Sequence, residues 1–85
     1  MEEEIGKITH YFSKINVGVI ELSKGTLKVG ETIHIKGHTT DFIQKVESLQ
    51  VEHKSVDSIK TGESAGLRTE CPVREQDLVF RVSED

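Results

Sequence analysis

The sequence predicts an all-β fold, a small six-stranded antiparallel β-barrel. Three observations point there. Apolar residues alternate at period two through short segments, turn residues recur between those segments, and no stretch has the spacing of an amphipathic helix. The same pattern suits a sandwich. A chain this short removes its exposed sheet edges best by closing the sheet, which favours the barrel.

Taken in order, Ile5 to Phe12 reads as the first strand. Ile15 to Leu22 is the second. There Ile15, Val17 and Val19 alternate before Ile20 and Leu22 take over the apolar phase, and Gly18 supports a bulge at the slip. Ser23 to Thr26 is a turn. Gly30 supplies a second corner because it takes φ > 0 without penalty. Thr32 to Lys36 is the third strand, with Ile33 and Ile35 on one face and Thr32, His34 and Lys36 on the other. Gly37 stops it. Asp41 to His53 is the longest strand. Phe42, Gln44 and Val46 share a face, but Leu49 and Val51 have the opposite parity, so a bulge near Glu47-Ser48 is required. Residues 54–60 are too sparse in apolar side chains for a helix. Ser64 to Glu70 is the fifth strand, entered through a Gly62 turn. Pro72 ends its pairing. Leu78 to Val82 is the sixth. The predicted core is Ile8, Phe12, Val17, Val19, Ile33, Ile35, Val46, Leu67, Val79 or Phe80, and Val82.

Composition narrows the class. Eighty-five residues with 34% apolar content allow one domain and one small core. Its ordered body is expected at about residues 5–82, with frayed acidic ends. The single cysteine, Cys71, excludes an internal disulfide and fits a reducing compartment. The start, Met-Glu-Glu-Glu, is unlike a secretory signal, and no apolar run approaches a membrane span. A cytoplasmic location is therefore expected. The net charge is −4, but five acids sit at the two ends. The remaining 11 basic and 10 acidic residues leave a nearly neutral body, which neither announces nor excludes a nucleic-acid surface.

Several glycine-centred pieces lie in a telling order: Gly6-Lys7-Ile8, Gly18-Val19-Ile20-Glu21, Leu27-Lys28-Val29-Gly30-Glu31, Val46-Glu47-Ser48-Leu49, Lys60 to Leu67 and Val73 to Val82. Together they resemble the second, β-barrel domain of translation GTPases such as elongation factor Tu, over roughly residues 5–82. Gln76 stands where that domain has a glycine. The resemblance implies a free-standing, translation elongation factor-like module that is not an enzyme and associates with RNA, with tRNA or the ribosome as partner. No Gly-x-x-x-x-Gly-Lys-Ser/Thr loop is present, so GTP binding does not come with it. A related barrel is appended to collagenase-like peptidases. The alternative is thus a protein-interaction adaptor, or an accessory barrel for a separately encoded peptidase-like or tRNA-modifying enzyme.

Five residues are candidates for RNA contact. Glu47 matches a glutamate that helps hold the terminal adenosine of aminoacyl-tRNA in elongation factor Tu, where a carboxylate accepts from a ribose hydroxyl. Arg68 would lie near that pocket and could neutralise a phosphate. His34, Lys36 and His38 share a face if the strand runs straight through Gly37. For each, a solvated strand surface is the plainer alternative. No metal and no cofactor is expected, because no third ligand accompanies the two histidines. Cys71 has no base assigned beside it, so no catalytic group is named.

Overall fold

The computed structural model describes residues 2–83. Its ten strands are β1 (Glu2–Phe12), β2 (Val17–Leu22), β3 (Thr26–Lys28), β4 (Thr32–Lys36), β5 (Asp41–Lys45), β6 (Leu49–Val51), β7 (Lys54–Val56), β8 (Ser58–Lys60), β9 (Ser64–Arg68) and β10 (Leu78–Val82). Eight form one sheet in the order β5-β4-β10-β1-β2-β9-β6-β7, and β3 pairs with β8 in a second. Every pairing is antiparallel. The all-β antiparallel class is as expected. No helix among the described residues is long and apolar enough to cross a membrane.

The count and the closure differ from expectation. There are ten strands rather than six, and the large sheet is not closed into a barrel by a ladder. It ends at β5 and β7. The long segment expected from Asp41 to His53 breaks at Val46. Its amide donates to Glu31 O at 2.8 Å, and its carbonyl accepts from Gly30 N at 2.8 Å, so Val46 bonds to the β3–β4 corner. What bridges the open side is a side chain. Gln44, 4% exposed, donates from Nε2 to Arg68 O at 2.9 Å and accepts Glu70 N on Oε1 at 2.8 Å. One amide thus joins β5 to the chain leaving β9.

The expected bulge in β2 lies in β1 instead. Register shifts between Glu4 and Gly6 against β10, and between Ile8 and His10 against β2. Ile5 and Ile8 are both buried although their parity differs, and a bulge is what allows that. Correspondingly, Ile20 and Leu22 line the core from β2, while Val17 and Val19 are only half-buried. The core also takes Leu27, Leu49, Ile59, Ala65 and Val73, together with the expected Ile8, Ile33, Ile35, Val46, Leu67 and Val79. Phe80 and Val82 are half-buried and Phe12 is 46% exposed, so these three leave the predicted core.

The acidic start is also not where it was expected. Glu2 to Glu4 open β1 and pair with Val82, Arg81 and Phe80 of β10. Glu3 accepts from Arg81 at 3.0 Å and lies 3.4 Å from Lys24 Nζ, and these partners hold its carboxyl below the usual range. Glu84 and Asp85 lie outside the described residues.

Candidate interaction site

The β1–β2 ladder runs out to the pair Phe12 and Val17, leaving Ser13 to Asn16 as the hairpin tip. Ile15 N donates to Phe12 O at 3.2 Å and closes the turn. Asn16 takes φ +55°, a conformation that asparagine tolerates better than most residues. Its carbonyl accepts Thr69 N at 2.8 Å and Thr69 Oγ1 at 3.4 Å, and its Oδ1 accepts Tyr11 Oη at 3.2 Å. The tip is therefore tied to the segment after β9. In that position it exposes Ile15 (57%) as well as Phe12.

Beside the tip runs an open groove of about 410 Å³, lined by Lys14, Ile15, Asn16, Val17, Ser48, Gln50, Gly66 and Arg68. Gly66 forms part of its wall, and a Cβ there would lie 3.3 Å from Val17 Cγ1. The side chains of Lys14 and Arg68 form no ion pair or hydrogen bond among the described residues. Ser48 and Gln50 add neutral hydrogen-bonding groups. Chemically, the groove can receive an anion and, next to it, an apolar group.

A second groove of about 400 Å³ runs past Thr39, Thr40, Asp41, Phe42, Cys71, Pro72, Val73 and Arg74. The exposed Cys71 thiol sits there. His10 lies 3.5 Å from Glu75 and His34 contacts two carboxylates, so neither imidazole is turned to that thiol. Among the described residues, no group of three or more His, Cys, Asp or Glu side chains could hold a metal.

The five candidates drawn from the sequence do not come together. Arg68 lines the first groove. Glu47 is exposed between β5 and β6, next to Ser48 of that groove. His34 and Lys36 are on β4, and His38 is in the bend after it. His34 is committed elsewhere. Its Nδ1 lies 2.7 Å from Glu2 Oε2 and its Nε2 lies 2.5 Å from Asp41 Oδ1, and its side chain is 13% exposed. Ile15 and Gln50 line the groove without being candidates from sequence, and Lys14 enters it as one of the lysines that recur through the first half of the chain. Their signal is the apolar pair Phe12 and Ile15, which flank a short polar loop at the facing ends of the first two expected strands.

The His34 bridge carries a pH dependence. Both ring nitrogens can donate only in the imidazolium form. The hydrogen bond to Asp41, reinforced by Glu2, raises the His34 pKa above its ordinary 6.5, against the opposing effect of burial. The same bond lowers the Asp41 pKa from 3.8. A raised histidine stabilises the fold fully below 6.5 and loses that contribution as pH rises through its folded value. A lowered carboxylate stabilises above 3.8 and loses that contribution as pH falls through its own folded value. Thermal melts across the alkaline side of 6.5 should therefore show Tm falling in the native protein. A His34→Gln variant should show a flatter profile over the same range. Parallel profiles would refute the bridge.

Comparison with known proteins adds what the geometry cannot. No family model matches the chain. It is 40% identical over 82 residues to an uncharacterized protease of Methanocaldococcus jannaschii, a match covering 95% of this chain and 20% of that protein. It is 35% identical over 81 residues to a collagenase of Porphyromonas gingivalis, covering 94% of this chain and 22% of that one. The chain thus spans about one fifth of the length of the curated relatives it matches. Among solved structures, it resembles the C-terminal domain of a Geobacillus thermoleovorans protein described as a U32 peptidase. The TM-score is 0.87 at 13% identity, over 95% of this chain and 93% of that one. The selenomethionine variant of the same domain gives 0.85 at 14%, over 91% and 96%. At these identities the likeness is one of fold.

These findings overturn the translation-factor expectation. The relatives are named as a protease and as collagenases, and the structural neighbours as a peptidase domain. Nothing supports an RNA-binding module with tRNA or the ribosome as partner. The expectation of a module that is not an enzyme is overturned by the same names, which are those of proteases, although this chain spans only about one fifth of their length. The physical reason is that the glycines carrying the resemblance are corners of the architecture. Gly30 and Gly62 take φ +100° and +91° wherever such a corner is built, whatever the attached protein does.

Proposed function

We propose that this chain is a protein-contact domain that works with a U32-peptidase-type catalytic body. The observation that carries this is the shape of the match. Nearly the whole chain aligns with a protease at 40% identity, yet it accounts for only 20% of that protease. The fold likeness to a peptidase's C-terminal domain supports the same assignment. The domain's part is to position: a compact β unit with a rigid hairpin tip and an adjoining groove can hold a substrate or a second surface in register with a catalytic centre. The single exposed cysteine suits a reducing, cytoplasmic setting.

The test is an exchange in the P. gingivalis collagenase. Collagen cleavage should fall at least about tenfold when the matched 81 residues are removed, and should return when this chain is fused in their place. Unchanged cleavage after removal, or no return with this chain in a folded fusion, rejects the proposal.

A further inference from the structure

We infer that the β1–β2 hairpin tip and the groove beside it bind a protein segment carrying an acidic side chain next to an apolar one. This rests on the protein-contact role proposed above and gives the chemistry of what is contacted. Phe12, at the end of β1, and Ile15, in the tip, are exposed on a hairpin that is not loose, since Asn16 is bonded to Thr69 and Tyr11. Their exposure is thus built into the hairpin, and an exposed apolar patch held rigidly marks a contact surface. Ile15 also lines the groove, so patch and groove are continuous.

Charge selects the occupant. Among the described residues Lys14 and Arg68 stand in the groove without side-chain partners, whereas Lys24, after β2, and Arg81, in β10, are both engaged by Glu3. An incoming carboxylate meets two cations without displacing an existing pair, and the Arg68 fork suits it geometrically. An anion alone would leave Ile15 and Phe12 uncovered. An apolar group alone would bury the two cations unpaired, which is costly. A segment that offers both satisfies the whole surface, with the apolar contact giving affinity and the charge giving selectivity.

The experiment is an amide-shift NMR titration of the full chain with the peptide acetyl-Asp-Leu-Asp-Leu-Asp-amide. Comparators are the same peptide with Lys for Asp, the same with Ser for Leu, and inorganic phosphate. Saturable shifts are expected in residues 12–17, 48–50 and 66–68 with a Kd below about 1 mM. Arg68→Gln and Ile15→Ser should each weaken binding at least about fivefold with the rest of the spectrum unchanged. No shifts, shifts elsewhere, equal binding of the lysine or serine peptide, or phosphate alone reproducing the pattern would each overturn the inference. The titration uses this chain alone, so its failure alongside a successful collagenase exchange rejects the surface only. Failure of the exchange rejects the wider role.

Discussion

Gly6→Ala should lower the unfolding free energy by about 2–4 kcal/mol, a fall in Tm of roughly 10–25 °C for a domain of this size. Gly6 lies at the bulge of β1, paired with Leu22 on one side and Val79 on the other. A Cβ at this position would run into the backbone oxygen of Glu21, with Glu21 C and Leu22 Cα each at 3.2 Å. The obstruction is a strand backbone held in the Lys7–Glu21 pairing, so it cannot swing aside as a side chain would. Gly30→Ala provides the control. Gly30 has φ +100° but nothing within 4 Å of a Cβ, so its cost is conformational strain of about 1–2 kcal/mol. Equal losses in the two variants would mean that strain, rather than the close approach of β1 to β2, explains the glycine.

Gln44→Leu should cost about 2 kcal/mol, seen as a lower urea midpoint at unchanged slope. Leucine keeps much of the volume but leaves Arg68 O and Glu70 N without the partners that the amide supplies. Gln44→Glu separates the two bonds, because it can still accept Glu70 N but cannot donate to Arg68 O. It should be less stable than the native residue near neutral pH, where a buried carboxylate faces the Arg68 carbonyl. Hydrogen exchange at the Glu70 amide should quicken in the leucine variant. A change below about 0.5 kcal/mol would show that water replaces the bridge and that the open side of the sheet needs no fastening.

The strands were legible wherever one face is strictly buried. Ile33 and Ile35 in β4 and Leu67 in β9 keep their face without a slip, and all three are core, whereas in β10 the expected Val82 is half-buried and Val79 lines the core on the opposite parity. Legibility failed where the backbone does something that its residues do not advertise. The β6–β7 hairpin turns on Glu52 and His53 at φ +51° and +66°, a two-residue turn that usually signals itself with Asn-Gly. Gln76, at φ +78°, occupies a corner without the glycine that would mark it. β3 and β8 are three residues each, too short to show a period, although Leu27 and Ile59 anchor both in the core. The groove was only half visible. Arg68 was noticed, but Lys14 and Ile15 reach the same groove through a tie between Asn16 and Thr69, which are 53 residues apart. No local pattern encodes a contact of that range. The partner class does not follow from the sequence, because the glycine corners that reveal the architecture carry no record of its ligand.

The pairing of β1 with β10 has a mechanical meaning. Glu2 lies opposite Val82, so chain entering at residue 2 and chain leaving at residue 82 pass through the same corner of the molecule. A body attached at either side is therefore tethered to one point.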